Sequence, residues 1–348
     1  MRKILIIIII LTAAAAGYYY FVMNKPAGEE QTAIKSKQTA ELSVLIPEKT
    51  ISPILSFSGE TVWFFSGAGR LYRKPITPSL SPPYQGGDEE GVEEYLLPEL
   101  IAETFAIRWQ SDGSNFIVEQ NLYGHSRYKF FDADKKVFIE YPEAVREPRF
   151  LSSAGKIVYD WVNAEGGHEL TMADYHANNF EKLADLGGAE YRLETSPAQD
   201  LAVLYSDKPA EPAKLSIYDI KKRASEHVGD EAVYERVKFS PDGSKLLAVS
   251  DNSMAVYDLR SAEPPLFFKE RGGVSSESPI IWKDSDNIVY AKETGIYQIN
   301  IETSEEKTLY EFGSKKYEPR DLLVHPEKPI IFFTNAETGY LHELEIKN

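Results

Sequence analysis

Glutamate and arginine recur close together at four places: Glu147-Pro148-Arg149, Glu190-Tyr191-Arg192, Glu235-Arg236 and Glu318-Pro319-Arg320. Each carboxylate–guanidinium set falls just ahead of an apolar β-rich run. Eight residues are thereby marked as candidate binding groups: Glu147, Arg149, Glu190, Arg192, Glu235, Arg236, Glu318 and Arg320. Two readings stand side by side. The charges form a ring that orients a polar ligand or a partner loop. Alternatively, the Glu of one structural unit pairs with the Arg of the next and pins the units together.

Other chemistry is sparsely provided for. The chain has no Cys, which excludes disulfides, thiolate catalysis and zinc–thiolate sites. The Gly-x-Ser-x-Gly elbow, His-Glu-x-x-His, the phosphate-binding Gly-rich Lys loop and the EF-hand pattern are all missing. The histidines (His125, His168, His176, His227, His325 and His342) are scattered. Asp284-Ser285-Asp286 and Gly229-Asp230-Glu231 bring carboxylates together but fall short of the six or more oxygens that calcium takes. No cofactor, metal or catalytic residue is therefore expected. The net charge of −16, from 54 acidic and 38 basic residues, argues against a nucleic-acid partner. Lys221-Lys222-Arg223, a local basic run, reads as a solvated turn.

The elements that must position these residues are repeats. An apolar anchor leads into a tight turn and a second β-rich run at Leu55, Trp109, Phe150, Leu193, Phe239, Trp282 and Val324. The steps are 54, 41, 43, 46, 43 and 42 residues. The clearest copy is Phe239-Ser240-Pro241-Asp242-Gly243, whose Pro presets φ and whose Gly tolerates a positive one. A second register places Asp132, Asp174, Asp219, Asp258, Asn300 and Glu345 at steps of 42, 45, 39, 42 and 45, each inside an apolar strand. A shared period in the low forties, filled with short strands, predicts an all-β fold, a β-propeller of seven blades with six or eight as the margin.

Each repeat reads as four strands, but the last supplies only three before Asn348. Glu41–Ile46 is the spare strand, and its addition to the last blade is expected to close the ring and hide the edges. The long first step is explained by residues 75–91, rich in Pro and Gly, as a disordered insertion in blade one. Aromatic strands such as Val62-Trp63-Phe64-Phe65 read as blade-packing core, with a carbohydrate-stacking platform as the other use of such rings.

Ahead of the ring, Met1-Arg2-Lys3 precedes Ile4–Met23, twenty residues without a charge and long enough to cross a bilayer. The basic start keeps residues 1–3 in the cytoplasm and places the rest outside. A cleaved signal peptide, with Ala13–Ala16 as its small-residue site, is the competing reading. Residues 24–40 read as a flexible tether and 41–348 as the propeller domain.

The Phe-Ser-Pro-Asp-Gly turn at Phe239, its relative at Trp109 and the period near 43 resemble the WD-repeat-like propellers typified by TolB-type periplasmic proteins. That resemblance covers Glu41–Asn348 and lacks the extra N-terminal α/β domain of the TolB type. It implies a protein- or peptide-binding scaffold in an extracytoplasmic compartment, and the stretch 4–23 is expected to hold that scaffold at the membrane. A binder or hydrolase of cell-envelope polymers, carbohydrate or peptidoglycan, working at the channel mouth is the alternative.

Overall fold

The structure, a computed structural model, describes residues 40–346 apart from 57, 77–91, 96, 100, 102, 111–112, 114, 152–154, 207, 209–211, 251–252, 262–264, 271–278 and 314–316. The anchor at 4–23, the tether up to 39 and the insertion from 77 to 91 lie outside the described residues. Seven antiparallel four-stranded sheets make up the ring. Their first strands are Thr50–Leu55, Thr104–Trp109, Val145–Phe150, Arg192–Thr195, Tyr234–Phe239, Ile280–Trp282 and Pro319–Val324. These first strands approach one another from blade to blade and so surround the axis, with later strands stacked outwards. All seven anchors lie in them, and six are their last residue.

The turn after each anchor keeps one hydrogen bond while its sequence varies. Ser240 N donates to Lys245 O at 2.9 Å, and the same bond runs from Ser56 to Thr61, Gln110 to Asn115, Leu151 to Lys156, Ser196 to Leu201 and His325 to Ile330. In blade six it is one residue tighter, Lys283 to Asn287. In the Phe239 copy, Asp242 accepts from Ser240 Oγ at 2.6 Å and Ser244 Oγ at 2.7 Å, and Gly243 takes φ +69°. Where the Gly is missing, a side chain substitutes: Ser196 Oγ accepts from Gln199 N, and His325 Nδ1 from Lys328 N at 2.9 Å. Local polar side chains thus tie off the same turn in different ways.

The second register marks the ends of third strands rather than their interiors. Asp132, Asp174, Asp219 and Asp258 are the last residues of theirs, and Oδ1 of each accepts a backbone N–H two to four residues on. Asn300 does the same for Glu302 and Thr303. Glu345 departs from this, standing inside the strand Leu341–Ile346 and opposite Glu41.

Ring closure is by the first of the described strands. Ala40–Ile46 pairs with Leu341–Ile346 from Ala40↔Ile346 to Ile46↔Leu341, with a bulge after Val44, and becomes the outer strand of blade seven. Ala40, assigned above to the tether, is its first residue. In blade one, Leu71–Pro75 pairs directly with Glu93–Tyr95, so the residues that lengthen the first step fall between the third and outer strands.

Second strands explain the unbroken apolar runs. Phe64 packs toward blade seven with Phe332 and Ile46, while its neighbour Phe65 packs toward blade two with Phe116 and Phe131. Alternate side chains enter opposite interfaces, so both faces of a sheet need apolar residues. Each interface between neighbouring blades carries its own cluster of this kind. A fully buried Phe contributes about 2–3 kcal/mol by area. Anchors add polar ties between blades: Trp109 Nε1 donates to Ser52 O at 3.3 Å and Trp282 Nε1 to Lys238 O at 3.1 Å.

Candidate functional site at the channel mouth

The innermost strands begin irregularly, and that irregularity aims side chains at the mouth. The pairing register shifts between Ile51 and Ile54, Thr104 and Ala106, Arg146 and Arg149, Tyr234 and Arg236, and Pro319 and Asp321. Such bulges bend a strand and re-aim its side chains. At the third-blade bulge Glu147 adopts φ +48°, a left-handed conformation uncommon for a residue with a Cβ.

Glu147 is the centre of an ionic row across blades two, three and four. Its Oε2 lies 2.8 Å from Arg149 Nη2 and 3.3 Å from Arg108 Nη2, and its Oε1 accepts from Arg192 Nη1. Arg108 also binds Glu119 at 2.6 Å and stacks over the Tyr128 ring at 5.2 Å. Glu119 Oε1 accepts from Ser126 Oγ at 2.8 Å. Arg149 reaches Glu194 at 3.6 Å. Burial alone would raise the Glu147 pKa, but the guanidiniums of Arg149, Arg108 and Arg192 outweigh it and bring the carboxyl from 4.5 down to about 2. Burial also pushes the Tyr205 hydroxyl well up.

The eight residues marked from sequence separate into groups. Glu147, Arg149 and Arg192 meet directly, and Glu190 pairs beside them with Lys208. On the other side of the ring Arg320 Nε is 3.9 Å from Asp321. Burial raises the Asp321 pKa, while Arg320, a hydrogen bond from Thr334 and the charges of Arg236 and Lys238 pull it part of the way back. Glu235 and Arg236 lie inside Tyr234–Phe239, and Glu318 is exposed just before Pro319–Val324. Six of these residues therefore stand within the innermost strands, and only Glu190 and Glu318 ahead of them.

Sequence reasoning missed Arg108, Glu119, Tyr128, Arg146 and Lys208. Arg108 was accessible to it: it precedes the anchor Trp109 as Arg149 precedes Phe150 and Arg192 precedes Leu193. Alignment on the anchors puts all three in one register. A second missed feature is His168 Nδ1, 2.6 Å from Asp160 Oδ2. Asp160 is fully buried, its Oδ1 has no partner among the described residues, and burial raises its pKa.

Above Glu147 opens a pocket of about 360 Å³, lined by Gly124, His125, Ser126, Tyr128, Arg146, Glu147, Glu190, Tyr191, Arg192 and Lys208. A larger groove, about 1050 Å³, lies between blades four and five. Two of its cations, Lys222 and Arg260, are paired within their own turns with Asp219 and Asp258. Among the described residues no group of three or more His, Asp or Glu is placed to hold a metal ion.

No protein-family model and no curated protein sequence matches the chain. Among solved structures it is similar to the β-propeller domain of Myceliophteria thermophila Cps50 (Swd1), at 11% identity and TM-score 0.59, over 89% of this chain and 100% of that one. It is also similar to an oligogalacturonate lyase in complex with manganese, at 12% identity and TM-score 0.66, over 90% and 95%. At such identities the likeness is one of fold. The chain is a seven-bladed β-propeller, a repeat scaffold closed by the first of its described strands.

Proposed function

We propose that this propeller is a membrane-tethered, extracytoplasmic scaffold of TolB-like kind that binds a protein or peptide at the channel mouth without catalysing a reaction. The uncharged stretch 4–23 behind Arg2-Lys3 supports the anchor, with 1–3 in the cytoplasm and 24–39 as the tether. The observation that carries the binding role is the row from Glu119 to Glu194, in which the acids and bases of three blades hold one another in place. Such a row fixes a shaped, charged rim, as recognition requires.

A second reading rests on the His168–Asp160 pair, in which a carboxylate orients an imidazole as in general-base chemistry. With the lyase among its structural neighbours, that pair supports action on an acidic envelope polymer.

A photoreactive amino acid at position 123, where the native Tyr is 100% exposed, tests the two together in intact cells. The scaffold reading expects a discrete protein adduct in the membrane fraction, with the propeller digested by protease added outside the membrane. Release of unsaturated or shortened polymer by the purified protein, abolished by His168→Gln, would establish the second reading instead.

A further inference from the structure

We infer that blade seven, where the ring is closed, is an acid-sensitive latch. Two buried histidines, one in each of its seams, must stay neutral for the ring to hold, and protonating them frees the closing strand Ala40–Ile46. This device is separate from the binding role proposed above and does not depend on it.

His342 and His325 are 6% and 3% exposed, while His125, His168, His176 and His227 all reach solvent at least in part. His342 stands on the third strand of blade seven, opposite Val44 of the closing strand and Phe333 of the second. Its ring stacks on Phe333, with centroids 5.0 Å apart, and meets Tyr317 edge-on at 5.4 Å. Phe333 and Tyr317 belong to the cluster that fills the seam with blade six, alongside Phe312 and Leu309. Neither Nδ1 nor Nε2 of His342 has a hydrogen-bond partner among the described residues. An imidazolium there would bury two N–H donors with nothing to receive them. Stacking on an aromatic ring returns part of that cost, but burial prevails and lowers the pKa. The titratable side chain packed on this ring is that of Tyr317. Glu343 and Glu345, its neighbours along the strand, alternate to the other face, where Glu343 lies near Lys74 and Lys328 and Glu345 opposite Glu41.

His325 acts through its turn. Its Nδ1 accepts from Glu327 N at 3.1 Å and from Lys328 N at 2.9 Å, so the proton of the neutral ring sits on Nε2. A second proton can go only to Nδ1, and there it expels both backbone donors. Nε2 is buried against a turn of blade one, where a Cβ on Gly59 would meet it at 2.7 Å. His325 therefore plugs the seam between blades seven and one. Burial and the Lys328 charge hold its pKa down, while Glu327 and the nearby Gly59 backbone oppose them. Glu60, in the same blade-one turn, is exposed and accepts from Ser58 Oγ at 3.4 Å. The outer strand gripped between these seams has little hold of its own. Within Ala40–Ile46 only Ile46 is fully buried, and Val44 is 48% exposed. A strand with so few buried contacts is the first to open locally. Glu343 works in the opposite sense: burial and Glu345 raise its pKa, so its protonation tightens the blade as pH falls.

Each histidine is neutral in the closed ring and takes an ordinary pKa of about 6.5 once its seam opens. Opening is therefore favoured by at most about tenfold per histidine between pH 7.5 and pH 5.5. Hydrogen–deuterium exchange of the full-length protein in detergent micelles, corrected for the intrinsic pH dependence of exchange, reads this blade by blade. Protection of Ala40–Ile46 and Leu341–Ile346 should fall by about tenfold or more at pH 5.5. That of Leu201–Tyr205 and Lys245–Ser250, in blades four and five, should change by less than about threefold. His342→Phe keeps the stack and His325→Asn keeps an acceptor for the turn, and neither replacement titrates. Each should cut the response of blade seven severalfold, and the double variant should reduce it to that of blades four and five. Equal loss in every blade, no loss in blade seven, or an undiminished response in the double variant overturns the latch. Should the double variant not fold, the contrast between blades in the wild type and in the two single variants decides by the same limits.

Discussion

Replacing Glu147 with glutamine removes one negative charge from among Arg108, Arg149 and Arg192 while hardly changing volume. In the native protein burial opposes the carboxylate, yet the three guanidiniums hold its pKa at about 2 against an ordinary 4.5. A depressed carboxyl pKa contributes stability that is complete above the unfolded value and is lost as pH falls toward the folded one. The shift corresponds to about 3 kcal/mol at neutral pH and about 1 kcal/mol at pH 3. Glu147 is only 5% exposed, so solvent screening takes little from that figure. Stranding buried charges by removing their partner costs a comparable amount, about 3–5 kcal/mol. Urea unfolding of wild type and Glu147→Gln, followed by tryptophan fluorescence near pH 7 and pH 3, reads the difference directly. The gap should shrink from about 3 to about 1 kcal/mol as the carboxyl of the unfolded wild-type chain takes up its proton while the folded one stays largely ionised. A gap of equal size at both pH values would refute the electrostatic account and leave shape alone to explain the residue.

Acid sensitivity should have a second source. His342 and His325 are buried, and burial lowers both pKa values, so each folds neutral. Their stabilisation is full above an ordinary histidine pKa of about 6.5 and fades as pH falls through the depressed values. His342 stacks on Phe333 with ring centroids 5.0 Å apart, so His342→Phe should hold more of its melting temperature between pH 7.5 and 5.5 than wild type does, as calorimetry can show. Gly243→Ala should cost more than Gly155→Ala in urea unfolding. Both glycines have positive φ, about 1–2 kcal/mol of strain for Ala, but only at Gly243 would the new Cβ meet a neighbour, Ser196 Oγ.

Much of the architecture could be read because it is repeated. Phe239-Ser240-Pro241-Asp242-Gly243 states the turn outright, and the period carries it to copies such as Val324-His325-Pro326 that share only the hydrogen bond. The spare strand before Ile46 was legible from the shortage of one strand in the last blade. The mouth was only half legible. Glu147, Arg149 and Arg192 stand out by local pattern, but their joining depends on a left-handed φ at Glu147 and a bulge that no motif records. Glu119 comes from the second strand of blade two and Lys208 from beyond the second strand of blade four, where one charged residue looks like any solvated one. His168 and Asp160 face each other because their strands pair, a relation invisible without the register.

The closing strand also sets a timetable. Ala40–Ile46 leaves the ribosome first of the described strands, yet its partner Leu341–Ile346 follows about three hundred residues later. The entropic charge for so long a loop grows only with its logarithm, about 0.6 kcal/mol per doubling, so the equilibrium suffers little. The rate suffers more, since distant pairings are slow to form. Until they meet, both strands keep an open edge able to pair with another chain. Glu41 and Glu345, directly opposed in the finished sheet, put like charges on those two edges and so discourage premature or mistaken zippering. A chain that stops before its last blade has nothing to receive Ala40–Ile46, and an unfinished ring would betray itself by that idle strand.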